Sequence, residues 1–394
     1  VAGRRAFPGD GVRLGVGSRT RRKECPMIRS FRATLVLSAL CGAAGAARAQ
    51  ATEIRFDATA DFLKPPAGYS FGEVTGLSIN RATRHFYVYH RTSQRSTVHG
   101  ATAAQLWEFG PDGTFIREIG KDNYGFGFAH DVDVDKDGNI WTSDEGTNMI
   151  VKFSPAGKVL MVLGRRDEAV EEPPPPPQRG QRPVPRWGAF NRPTQVTWDL
   201  EGNVFVADGY NNSRVVKISP DGRWLKTWGE YGSEPGQFNT VHTIASDARG
   251  NIYVGDRSNN RIQVFDHDGN PLRIIRIDAT NAPYAKEPNV LLGAMPRPGA
   301  NPLAVLGAPW AICITPPNAQ GTQYLYSADA VPGRIYKITL DGKVLGTIGD
   351  GGKRVGEFGW VHQIACPSEN ELYVGEILNW RVQKLTLHPT AAQR

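Results

Sequence analysis

Three histidines of this chain stand in closely similar surroundings: AHDV at His130, VHTI at His242 and VHQI at His362. They are separated by 112 and 120 residues, and the whole chain has only eight histidines. Neutral imidazole is a common metal ligand, and three histidines with an open fourth position is the pattern of catalytic zinc. A single histidine of this kind would more simply be a channel-facing polar residue bonded to water. Three in one register favour a metal. Zinc fits the ligand type best, with iron, copper and nickel as the other candidates.

The elements that carry the histidines repeat. PTQVTWDLEGNVFVADGYNNSRVVKISPDGRWLKTWG (193–229) matches VHTIASDARGNIYVGDRSNNRIQVFDHDGNPLRIIRI (241–277) almost position by position. Each unit reads as an apolar strand, a D-x-x-G-N-like turn and a second strand ending in a charged residue. An Asn/Arg turn, a third strand, a D-G turn and a fourth strand follow. Six such units predict an all-β fold, a six-bladed β-propeller. The sixth unit lacks a fourth strand, and the alternating segment EIRFDA (Glu53–Ala58) is the candidate to supply it and close the ring. Two insertions break the period, a Pro-rich segment at 171–185 and a Pro/Asn/Ala-rich one at 278–305; the first reads as an extended surface loop.

Within this repeat the histidine slot is filled by Thr75, His130, Thr194, His242, Trp310 and His362. Histidine therefore occupies alternate blades, about 120° apart on a six-fold ring, where the first strands line the channel. Strands one and two run antiparallel, so the loop after strand two returns to the histidine face. That loop supplies Arg91, Asp144, Tyr210, Arg257, Asp329 and Glu376. The acids here, such as Asp208 and Asp256, read as braces for their own turns against Arg214 and Arg261. Arg91, Tyr210 and Arg257 have no such partner in the repeat and are the candidates for chemistry.

The formal net charge of +7 is a property of the first 49 residues, which hold ten Lys/Arg and two Asp/Glu; residues 50–394 carry about −1. The basic balance is thus no argument for nucleic acid or membrane partners. Residues 27–49 have the grammar of a signal peptide: Arg29 and Arg32, a short apolar run, and Ala47-Arg48-Ala49. The run is too short for a membrane anchor. Residues 1–26 read as an upstream start or a disordered leader. The expected product is a periplasmic or secreted propeller, 50–394, acting as a monomer on a small-molecule or peptide substrate, with no membrane contact after cleavage. It keeps two cysteines, Cys313 and Cys366, which either pair or stay as buried thiols.

Several of these stretches are similar to one family. VFVADGYNNSRVVKISPDG, WGEYGSEPGQFNTVHTIA and DRSNNRIQVF closely resemble the catalytic core of the peptidyl-α-hydroxyglycine α-amidating lyases, a six-bladed NHL-repeat propeller. AHDVDVDKDGNIWTSD and VTGLSINRATRHFYVYHR resemble its earlier blades, so the similarity runs over about residues 70–385. The resemblance implies a zinc lyase that splits a peptide ending in α-hydroxyglycine into peptide amide and glyoxylate. It implies His130, His242 and His362 as zinc ligands, Tyr210 as the catalytic tyrosine, and Arg91 and Arg257 as active-site arginines. It also implies a structural calcium held partly by the backbone carbonyls of Leu77 and Val132. Here the chain departs from the family, with Gln363 in place of an aspartate that serves calcium; Asp131 is the possible substitute. Trp360 stands in place of a methionine, and Asn211 in place of a cysteine. No copper monooxygenase segment is recognisable, so the hydroxyglycine is expected to come from another protein.

Two further readings compete. One is a non-enzymatic secreted NHL-repeat propeller that binds a protein, peptide or glycan on one face, which the repeats alone allow. The other is a hydrolase or lactonase on a six-bladed ring. Such enzymes rely on carboxylate-bound calcium, against which the three histidines argue.

Overall fold

The structure is a computed structural model that describes residues 52–92, 104–166, 184–277, 307–330 and 333–394. The expected leader (1–49), the insertion at 278–305 and all but the last two residues of the 171–185 segment lie outside the described residues.

Each blade is built by a local rule that the sequence writes out. In DKDGN, Asp135 Oδ1 accepts hydrogen bonds from the backbone N–H of Asp137 (3.0 Å) and Asn139 (2.8 Å). Gly138 takes φ 80°, a left-handed conformation that costs glycine little. The same turn recurs at Asp199–Asn203 and Asp247–Asn251. It folds strand one back on strand two, and six four-stranded antiparallel sheets result.

The innermost strands are Glu73–Ile79, Ala129–Val134, Gln195–Trp198, Val241–Ser246, Ala311–Ile314 and Val361–Ser368. Each touches the next, and the last touches the first, so the ring is closed. Closure uses the N-terminal strand Arg55–Thr59, which pairs antiparallel with Arg381–His388 from Arg55 opposite His388 to Thr59 opposite Lys384. The expected fourth strand of blade six is therefore present.

The core lies between neighbouring sheets. Tyr253 and Ile262 of blade four pack with Ile312, Leu325 and Tyr336 of blade five. Full burial of each such aliphatic or aromatic side chain is worth ~1.5–3 kcal/mol. Gly76 shows how close two blades come, because a Cβ there would lie 2.5 Å from Val132 N. Cys313 and Cys366 form a disulfide with Cα atoms 6.1 Å apart, joining the innermost strands of blades five and six.

Candidate metal centre and its rim

A β-bulge positions each histidine. The pairing of strands one and two slips between Ala129 and Asp131, between Val241 and Thr243, and between Val361 and Gln363. The residue skipped is His130, His242 or His362. A bulge breaks the ladder and re-aims one side chain, and here it frees the imidazole to turn toward the ring axis. Thr75 sits at the same slip in blade one. The bulge explains why the alternation of Val132 and Val134 with polar residues does not by itself say where His130 goes.

All six slots take part in one belt. His130 Nδ1 lies 2.7 Å from the carbonyl of Thr194, His242 Nδ1 2.7 Å from that of Trp310, and His362 Nδ1 2.9 Å from that of Thr75. Each histidine thus bonds to the slot residue of the next blade. Between these links, the hydroxyls of Thr75 and Thr194 donate to the carbonyls of Ala129 and Val241, each just ahead of a histidine. A carbonyl only accepts, so Nδ1 carries the proton and Nε2 is left with its lone pair. The ring centroids are 4.7–5.0 Å apart.

Burial holds the His362 ring at about 3, far below the ordinary imidazole value, with Arg91 next in effect. His130 and His242 are driven well down by burial, by neighbouring imidazoles and by the arginines. All three are neutral at physiological pH, as metal ligands must be. Their ligand atoms lie within 4.8 Å of one another. Zinc bonds of 2.0–2.1 Å put ligand nitrogens about 3.4 Å apart in a tetrahedral site, so modest ring rotation closes this one. The donor set fits a three-histidine metal.

Tyr210 closes one side. Its Oη is 3.1 Å from His242 Nε2 and 3.3 Å from His130 Nε2. Burial pushes its phenol above the ordinary value, Glu145 adds to this, and Arg257, Arg91 and Arg192 pull the other way. Arg257 lies 5.3 Å from the Tyr210 ring centre and 4.0 Å from that of Trp310, and its buried Nε has no hydrogen-bond partner. Arg91 is more committed than its place in the repeat suggested. It donates to the Ala129 carbonyl (2.8 Å), pairs with Glu73 (3.2 Å) and Glu145 (3.4 Å), and lies 3.5 Å from the Phe128 ring centre. Trp360 packs with Trp310, centroids 5.1 Å apart, and holds φ 57°, so the wall beside His242 is indole.

The bracing acids do brace. Asp208 pairs with Arg214 at 2.9 Å and Asp256 with Arg261 at 2.7 Å, both carboxylates fully buried. In blades two, five and six the rim position needs correction: Asp329 accepts from the N–H of Gly307, Gly333 and Arg334, and Glu376 from that of Gly359 while pairing with Arg381 at 2.6 Å, so both are braces. In blade two Asp144 is the brace, accepting from the N–H of Gly127, Phe128 and Thr147, and the rim residue is Glu145. The N–H of Glu145, Tyr210 and Arg257 bond to the carbonyls of Phe128, Arg192 and Thr240, which shows the three to be equivalent.

Comparison with known proteins agrees with this architecture. The NHL repeat model matches residues 238–265, in blade four. A Xenopus laevis peptidyl-glycine α-amidating monooxygenase is 32% identical over 260 residues, 64% of this chain and 24% of that one. A Drosophila melanogaster peptidyl-α-hydroxyglycine α-amidating lyase is 27% identical over 177 residues, 41% of this chain and 40% of its own. A Bacteroides thetaiotaomicron protein of unknown function superposes with TM-score 0.51 at 13% identity, over 85% of this chain and 77% of its own, a likeness of fold. The chain carries an NHL repeat and is similar to the peptidyl-α-hydroxyglycine α-amidating lyases. It spans about a quarter of the length of the Xenopus relative.

Two features of this chain stand out from the histidine centre. The residues expected at a calcium do not fit that ion. Gln363 Nε2 donates to Asp131 Oδ2 at 2.6 Å, and Asp131 Oδ1 accepts from the Val132 N–H at 2.7 Å. An amide donor thus satisfies the charge that calcium would need. Leu77 and Val132 are buried strand residues opposite Val88 and Thr142. The second feature is a pair the sequence did not single out. Arg192 Nη2 bonds Glu145 Oε1 at 3.2 Å and its guanidinium lies 4.5 Å from the Tyr210 ring centre. Arg192 has φ 60°, unusual for a non-glycine residue and frequent at functional sites.

Proposed function

We propose that this chain is a metal-dependent lyase that splits peptidyl-α-hydroxyglycine, or a closely related small carbinolamide, into an amide and glyoxylate. The observation that carries this reading is the convergence of three neutral Nε2 lone pairs beside the Tyr210 phenol. Zinc held by His130, His242 and His362 would supply Lewis acidity toward the substrate hydroxyl. Tyr210 Oη would take the hydroxyl proton and return it to the departing amide nitrogen, so that the C–N bond breaks as the C=O bond forms. Arg257, with an unused Nε, is the group to hold the substrate carboxylate. Arg91, tied to Glu73, Glu145 and Ala129, holds the wall against which Tyr210 sits. Trp310 and Trp360 narrow the entrance and keep water from the reacting carbon. Export belongs to the same proposal and is supported by the signal-peptide grammar of residues 27–49; the intact mass of the exported protein should correspond to a start near Gln50.

The test is release of glyoxylate from synthetic peptides ending in α-hydroxyglycine by the zinc-loaded protein, stopped by a chelator and restored by zinc. Absence of glyoxylate over several peptide sequences, from protein holding about one zinc per chain, would reject the substrate. The binding-propeller reading would then stand in its place.

A further inference from the structure

The channel has a second mouth, on the face where the D-x-x-G-N turns lie. It opens into a cavity of about 730 Å³ lined by the innermost strands of all six blades. Polar bonds form its floor and separate it from the histidines: Asp131 to Gln363, and Gln195 Oε1 to the Thr243 hydroxyl at 2.6 Å. The walls include hydrocarbon from Leu77, Ile244 and Ile312. Among them stands Asp133, which accepts from the Gln195 side chain and the Val196 N–H. Its other oxygen, Oδ2, is buried and has no hydrogen-bond partner.

Most of the remaining acids and both lysines around this mouth are paired, and Arg81 adds a guanidinium to its lining. Asp135, Asp199 and Asp247 accept from their own turns. Lys152 reaches Asp135 at 3.5 Å, and Lys136 pairs with Asp137 at 2.9 Å. Asp133 is the carboxylate left with an unused oxygen, and buried carboxylates are normally paired or fully bonded.

We propose that this mouth is a second binding site, separate from the histidine centre, for a small organic cation whose ammonium or guanidinium group meets Asp133 and whose apolar body lies on Leu77, Ile244 and Ile312. A bare metal ion is a poorer match. Calcium takes six to eight oxygens, whereas one free carboxylate oxygen stands here against hydrocarbon. The volume lies in the range of small-molecule pockets, roughly 300–1,000 Å³.

The experiment is calorimetric titration of the zinc-loaded full chain with 2-phenylethylammonium, and with 2-phenylethanol as the neutral match. The ammonium should bind about tenfold or more tightly than the alcohol, a difference of about 1.4 kcal/mol. Asp133→Asn should remove that preference, and His242→Ala should keep it. Ser78→Phe fills the cavity while leaving Asp133 in place, and should abolish binding of both probes. The proposal is overturned if the two probes bind alike or not at all. It is also overturned if Ser78→Phe binds like wild type, if binding follows His242 rather than Asp133, or if calcium competes the ammonium away.

Discussion

Tyr210→Phe is the sharpest perturbation of the proposed chemistry, because it deletes one atom. The lost Oη is the group 3.1 and 3.3 Å from two histidine nitrogens. The ring remains, and with it the contacts to His130 and His242 at 5.5 and 5.7 Å and to Arg192 and Arg257. Fold and metal content should therefore survive. The stability change should be that of one hydrogen-bonding hydroxyl, about 1 kcal/mol. The catalytic change should be larger. A positioned general base contributes about 10²–10⁴ in rate, which is ~2.7–5.4 kcal/mol of barrier. Because burial and Glu145 raise the phenol's pKa, wild-type kcat/KM should climb with pH through the alkaline range as the phenol ionises. The variant should lose that limb as well as rate. The assay is single-turnover glyoxylate release by zinc-loaded protein across pH, with zinc measured in the same samples. A variant within about threefold of wild type would refute proton transfer by Tyr210, on the 10²-fold minimum expected of a base. A variant that loses its zinc along with its activity would make Tyr210 a structural residue instead.

The remaining predictions concern the metal and the arginines. His242→Ala should lower zinc occupancy from about one per chain to a small fraction, since three ligands leave no redundancy; full occupancy, read by elemental analysis, would remove the site. Arg257→Ala should raise KM more than it lowers kcat if the guanidinium grips the carboxylate equally in ground and transition states. Arg91→Ala should instead lower Tm, because it strands Glu145, buried between Arg91 and Arg192. Metal affinity should stay nearly flat as pH falls from 7 to 5. The folded imidazoles have depressed pKa values, His362 at about 3, so protons compete only in stronger acid, whereas free imidazole is half protonated near 6.5. Below about 6.5 the unfolded chain takes up protons that the folded histidines refuse, which weakens the fold in acid. Overall stability is nonetheless the wrong readout. Asp133 and Asp329, raised by burial to about 7 and about 6, take up protons in the folded state over that range and act with the opposite sign. Metal retention on dialysis at stepped pH is the clean measurement.

The ring and its three histidines were legible because both are periodic. A turn such as Asp247–Asn251 repeats its residue types wherever it repeats its geometry, and a slot that alternates Thr and His can be counted. What escaped was non-periodic or held by the backbone. Glu145 was missed because the bracing acid Asp144 was read as the rim residue in its place, as Asp329 and Glu376 were in blades five and six. Arg192 gave no signal, because its left-handed backbone and its contact with Glu145 exist only once blades two and three meet. The belt of carbonyls that fixes the imidazole tautomers has no side-chain signature at Trp310. The calcium expectation rested on resemblance, and the local chemistry of Gln363 and Asp131 answers it with a hydrogen bond.

That belt ties the site to the closure of the ring. His130 and His242 are each oriented by a slot 64 and 68 residues later in the chain, but His362 is oriented by Thr75, 287 residues earlier. The third imidazole can be aimed only after blade six has met blade one. The strand Arg55–Thr59 completes blade six at its outer edge, and the disulfide from Cys313 to Cys366 holds the innermost strand of blade six to that of blade five. Ring closure and completion of the three-histidine cluster are therefore one structural event. A three-fold site built on a six-fold ring needs this, because each ligand borrows its orientation from the neighbour that carries none. An open ring would present two aimed histidines and one free to turn. The inner hydrogen-bond belt thus makes the alignment of all three imidazoles a direct report on whether the propeller has closed.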